Sequence, residues 1–169
     1  TMSREPRTTV PADTLHSLGE QLLDLPEGFN LHRKLHPLLE RRREALAEGG
    51  PIDWSHAESL AIGSLLALGV PVRLTGQDSE RGTFSQRHAV FHDVQTGEVF
   101  IPLQAIPQAK AAFDIHNSPL SENAALGFEF GYSALYPDRM DIWEAQYGDF
   151  INAAQVMVDE FLASAQAKW

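Results

Sequence analysis

Two glutamates stand seven residues apart in NSPLSENAALGFEFGYS, residues 117–133. Seven residues are about two helical turns, so Glu122 and Glu129 fall near one stripe of a helix with Ala125 and Leu126. Ser118 suits a helix cap and Pro119 the first turn, which puts Glu122 near the helix start. A strand precedes this helix, and open α/β sheets leave a ligand crevice at the carboxyl ends of their strands. A carboxylate there has two readings. It gains modestly from the helix dipole, or it is partly buried, with a raised pKa that lets it hold or share a proton with a ligand nitrogen. Glu129 lies too far down the helix to reach the same ligand atom and reads as a hydrogen-bonded or subunit-facing acid.

Two other stretches collect reactive side chains. In GQDSERGTFSQRH, Gln77 and Asp78 follow a strand and can point into the same crevice. Arg81, Arg87 and His88 could recognise a carboxylate, Arg by bidentate bonds and His by a tunable charge. A loop stitched by Asp–Arg pairs is at least as good an account of the two arginines. His88 and His92 share a strand face too far apart for one metal, and no carboxylate completes a set, so no zinc site is expected. In WEAQYGDF, Tyr147 and Phe150 flank a Gly-Asp turn, where aromatics either stack on a flat heterocycle or fill a core. Neither a P-loop nor a G-x-G-x-x-G fingerprint occurs.

The elements that must position these residues read as α/β. Asp13 can cap a helix whose Leu15, Leu18, Leu22 and Leu25 mark one face, ended by Pro26 and Gly28. A second helix starts near Pro37 and stops at Gly49 and Gly50, and its Arg41–Arg43 run, beside Glu40, Glu44 and Glu48, reads as a solvated face. Ser55 and Glu58 have capping-box spacing for a third helix, with a stripe of Trp54, Ala57, Leu60, Ala61, Leu65 and Leu68 that closes at Gly69. VPVRLTGQD is a strand breaking at Gly76. RHAVFHD and EVFIPL form a β-hairpin. Phe113–Asn117 and MDIWEAQ are further strands, and a last helix from about Phe150 places Phe150, Ala154, Met157, Val158, Phe161 and Ala165 on one face. This order favours a mostly parallel sheet with crossover helices, plus a hairpin and an N-terminal helical arm: residues 1–50 as arm, 51–169 as the α/β domain.

At 169 residues there is room for one domain with a sizeable core. The net charge is -10, and residues 51–169 carry 6 basic against 15 acidic side chains, so neither nucleic acid nor an anionic membrane is an expected partner. Without cysteine there is no disulfide framework. No apolar run reaches membrane-spanning length, and TMSREPRTTV lacks a secretion signal, so a soluble intracellular protein is the expectation.

VRLTGQDSERGTFSQRHAV, NSPLSENAALGFEFGYS and DIWEAQYGDFINAAQVMVDEF together resemble the aminopyrimidine-binding domain of the E1 component of 2-oxoglutarate dehydrogenase, a thiamine-diphosphate enzyme family with a transketolase-like fold. The resemblance runs from about residue 10 to the C-terminus. It implies a central fragment of a longer chain, with the sheet incomplete at its C-terminal end. By position it assigns Glu122 to the pyrimidine ring nitrogen of thiamine diphosphate, Phe150 to stacking on that ring, and Leu120 and Gln77 to lining its pocket. It also assigns His88 to the substrate near the reacting carbon. Tyr147 stands where relatives carry Phe.

The implied activity is oxidative decarboxylation of 2-oxoglutarate, a tricarboxylic acid cycle step, with succinyl transfer to the lipoyl group of the E2 partner; E3 completes the complex. The resemblance further implies a homodimer in bacterial cytoplasm or mitochondrial matrix. Mg2+ and the diphosphate would be held by a domain absent from this chain, which alone should be inactive. A sister E1 for 2-oxoadipate, a 2-oxoglutarate decarboxylase and a non-catalytic dimerisation module stay open as alternatives.

Overall fold

A computed structural model describes residues 8–168. Helices α1 (Ala12–Leu22), α2 (His36–Glu48) and α3 (Trp54–Leu68) precede strand β1 (Val72–Gly76). Two short strands, β2 (Phe91–His92) and β3 (Val99–Phe100), lead to β4 (Phe113–Asn117), α4 (Glu122–Leu135) and β5 (Met140–Glu144). A 3-10 stretch, Gly148–Ala154, then opens a C-terminal helical segment.

β4, β1 and β5 form a parallel sheet in that order, with β1 in the centre. Gly76, the last residue of β1, lies level with Asn117 on one side and Glu144 on the other, so all three strands end at one rim. β2 and β3 form the expected antiparallel hairpin, short because Asp93 folds its turn by accepting from the backbone N–H groups of Gln95 and Thr96.

Alternation along β1 sends its side chains to opposite faces. Val72 and Leu74 join a core with Leu60 and Leu66 of α3, Phe113 and Ile115 of β4, and Leu18 and Leu22 of α1. The N-terminal helices therefore share the sheet's core. Arg73 and Thr75 point the other way, toward α4. A second cluster, Leu23, Leu31, Leu39 and Phe91, fastens the N-terminal region to the hairpin, and Asp93 reinforces it by accepting from Asn30.

Several local expectations shift. Asp53, not Ser55, caps α3, its carboxylate accepting from the His56 N–H at 2.8 Å, while Glu58 is drawn away to Arg87. The buried face of α3 runs through His56, Leu60 and Leu66, leaving Trp54 93% exposed and Leu68 exposed; small residues such as Ser64 can turn inward because its hydroxyl donates to the Ala61 carbonyl. Pro11, not Asp13, occupies the cap position of α1, and Asp13 sits in its first turn.

α4 begins at Glu122 with Ser121 at its cap position. Ser118 instead closes the turn before it, its Oγ accepting from the Leu120 N–H, so Pro119 lies outside the helix. The last helical segment starts at Gln155, and a wide π turn over Val158–Leu162 breaks the 3.6-residue period, leaving Phe161 exposed where Ala154 is buried. Among the described residues no helix is long and apolar enough to cross a membrane.

Candidate functional site

The common rim of the three strands forms a crevice. Gly76 and Gln77 follow β1, Ser118 and Leu120 follow β4, Trp143 to Gln146 end β5, and Glu122 opens α4 above them. Glu122 is half-buried. Its one hydrogen-bond partner among the described residues is Gln77, whose Nε2 approaches Oε1 at 3.5 Å and also donates to the Leu120 carbonyl at 3.4 Å. A carboxylate has about four lone-pair sites, so Glu122 keeps acceptor capacity for a ligand. The structure thus brings together three of the five residues singled out in the sequence: Gln77, Leu120 and Glu122.

The other two stand apart. Phe150 lies in the 3-10 stretch after β5, edge-on to Tyr147 at 5.4 Å, and Tyr147 meets Phe84 at 5.6 Å. All three rings are exposed, an edge-to-face aromatic cluster on the surface rather than core. His88 lines a separate cavity of about 20 Å³ with Arg42 and His56. That volume suits a single water molecule. Burial, helped by the Arg42 and Arg81 guanidinium groups, holds His88 below its ordinary pKa, and the same burial and Arg42 act on His56, whose ring nitrogens have no partner.

Arg42 corrects the reading of the Arg41–Arg43 run. Arg43 pairs with Glu40 in solvent. Arg42 turns inward, 7% exposed, and donates to Ser55 Oγ and to the carbonyls of Gln86 and Arg87.

Glu129 also finds its partner. Two turns below Glu122, it accepts two bonds from Arg73 at 2.9 and 3.1 Å. Arg73 is cradled further by the rings of Tyr132 and Phe128, at 5.0 and 5.6 Å. Asp141, level with Arg73 on β5, has both carboxylate oxygens buried without a partner. Burial, then the nearby Glu129 charge, raises its pKa.

Trp143, Glu144 and Gln146 in the crevice wall went unread in the sequence. Their signal was their place at the carboxyl end of a strand, the same argument that picked out Gln77. Glu144 is fixed by Arg87, which is buried and bonds Glu144 on one side and Glu58 on the other.

The crevice is too shallow to enclose even one water molecule, far below the several hundred Å³ of an enclosing ligand pocket. These residues can form one wall of a site: a free carboxylate acceptor, an amide, and the faces of Leu120 and Trp143. Among the described residues no group of three His, Cys, Asp or Glu is placed to hold a metal ion.

Comparison with known proteins identifies the family of the chain. Residues 50–169 match the family described as "Transketolase, pyrimidine binding domain". The chain is 54% identical over 165 residues to the 2-oxoglutarate dehydrogenase E1 component of Geobacillus kaustophilus, covering 98% of this chain and 17% of that protein. The 2-oxoglutarate dehydrogenase E1 components of Exiguobacterium and Oceanobacillus iheyensis are each 54% identical over 162 residues. The chain thus spans about one sixth of the length of these relatives (17%).

Proposed function

The chain belongs to the transketolase pyrimidine-binding domain family, and from that premise we propose that it is the part of a 2-oxoglutarate dehydrogenase E1 component that binds the aminopyrimidine of thiamine diphosphate. The observation that carries the proposal is Glu122: an acid with unused acceptor sites at the first position of α4, over the rim where three parallel strands end.

The residues divide the work by position. Glu122 takes the ring nitrogen and shares a proton with it, general acid–base chemistry that needs only hydrogen-bond reach. Gln77 steadies the Glu122 carboxylate, while Leu120 and Trp143 exclude water from one side of the ring. Phe150, in the exposed aromatic group beside the crevice, supplies a stacking face once the second wall closes. His88 contributes to binding the 2-oxo acid from its own loop. When bound, thiamine diphosphate supplies the nucleophilic carbon that the side chains of this chain lack. Magnesium and the diphosphate are held by residues outside this chain, and the site is completed across a homodimer. The succinyl group passes to the lipoyl group of E2, and E3 completes the complex, in a bacterial cytoplasm.

In the full-length protein, Glu122→Ala is expected to leave folding intact while nearly abolishing decarboxylation of 2-oxoglutarate. Turnover close to that of the unaltered protein would refute the assignment.

A further inference from the structure

We propose that Arg87 is the positioning residue of the crevice: its guanidinium locks the loop of residues 77–88, helix α3 and the end of β5 into one rigid unit behind Gln77 and Glu144. The inference rests on the pyrimidine-binding reading above and extends it to a residue outside the crevice wall.

A guanidinium has five N–H donors, and Arg87 makes five bonds. Nε donates to Glu58 Oε2 at 2.7 Å, and Nη2 to Glu58 Oε1 at 3.1 Å. Nη1 and Nη2 donate to the two oxygens of Glu144 at 2.5 and 2.6 Å, and Nη1 also reaches the Ser79 carbonyl at 2.8 Å. Arg87 itself is 5% exposed. Burial alone would lower its pKa, but Glu144 and Glu58 outweigh that and raise it. Two bidentate carboxylates on one planar fork is an arrangement a lysine ammonium cannot reproduce.

The clamp sits where the backbone needs restraint. The positive-φ residues other than glycine among the described residues are Asp78, Ser85 and His88, at 59°, 54° and 47°, and all three lie in this loop. Such conformations persist only where the surroundings over-determine them. The backbone helps, with the N–H groups of Arg87 and His88 both donating to the Arg81 carbonyl. Arg87 ties the loop down to α3 and β5 as well. Other ties cross the same rim: Gln146 Nε2 donates to Asp78, and the Glu80 N–H to Asn117 Oδ1. Glu144 lines the crevice directly, so its aim depends on Arg87.

The test uses the full-length protein, titrated with thiamine diphosphate in the presence of Mg2+ and followed by calorimetry, alongside hydrogen exchange of residues 77–88. Arg87→Lys is expected to weaken binding about tenfold or more, the scale set by small misplacements in a site, and to raise exchange in the loop. Glu58→Gln, on α3 and outside the crevice, should do the same more weakly, and combining the two should cost less than the sum of the singles. If Arg87→Lys does not fold, Glu58→Gln carries the test alone. Unchanged affinity in either folded variant, or an unchanged loop, would overturn the positioning role. Failure of the unaltered protein to bind thiamine diphosphate would instead overturn the pyrimidine-binding reading.

Discussion

Removing the Glu129 carboxylate is expected to destabilise the chain by about 2–3 kcal/mol, and the structure sets that size. Glu129 and Arg73 have side chains only 7% and 15% exposed and meet in a bidentate pair. Deleting one partner of a buried pair costs about 3–5 kcal/mol because the other charge stays buried and uncompensated. Two features bring this case to the lower end. Arg73 keeps the faces of Tyr132 and Phe128, each cation–π contact being worth about 0.5–2 kcal/mol. Arg73 also stands level with Asp114 on β4 and Asp141 on β5, acids toward which it can turn.

The assay is denaturant unfolding of Glu129→Ala, Glu129→Leu, Arg73→Met, and Glu129→Leu combined with Arg73→Met. An apolar replacement of both partners removes the stranded charge, so the double variant should be more stable than Glu129→Ala. A loss below about 1 kcal/mol for Glu129→Ala, the range of a surface pair, or a double variant as unstable as the sum of its singles, would refute the reasoning.

Other perturbations follow from single contacts. Gly76→Ala should cost about 2–3 kcal/mol in thermal unfolding, as overpacking does, because a Cβ would meet the Glu144 carbonyl at 2.5 Å and Ser79 Oγ at 2.8 Å at a φ of +154°. Asp53→Ala should cost about 1 kcal/mol and Asp53→Asn much less, since Asn still accepts from the His56 N–H. His56 is held below its ordinary 6.5 by burial and by Arg42, so the unfolded chain binds more protons between the lowered folded value and 6.5. Stability is then full above 6.5 and falls as pH drops below it. His88 adds in the same direction, so unfolding free energies measured against pH should show a shallower decline for His56→Gln.

Much of the site was legible because its logic is local. Helical period and end signals located α4, and a strand before it placed Glu122 at a carboxyl rim; the same rule picked out Gln77. What stayed hidden depended on register. Arg87 could be read as a substrate-binding or a loop-stitching cation until the sheet set Glu144 level with Gly76, with Glu58 of α3 within reach. Arg42 was lost in a run of three arginines because neighbours on a helix point about 100° apart, so Arg41 and Arg43 stay outside while Arg42 faces the core. Trp54 misled for the opposite reason: its spacing fits a stripe, but the stripe that packs runs through His56 and Leu60. Phe150 and His88 lie on irregular segments, where periodicity carries no information about direction.

The most direct test of the central claim, that Glu122 starts the chemistry by engaging the pyrimidine nitrogen, isolates that step from substrate. Exchange of the thiazolium proton of thiamine diphosphate with deuterium, followed by quenched-flow NMR in the full-length protein saturated with cofactor and Mg2+, reports it without 2-oxoglutarate. Glu122→Gln keeps the shape and removes the acid. The expected result is exchange at least about a hundredfold slower than in the unaltered protein, the contribution of a positioned acid–base group. Equal exchange rates in the two proteins, with cofactor bound in both, would contradict it.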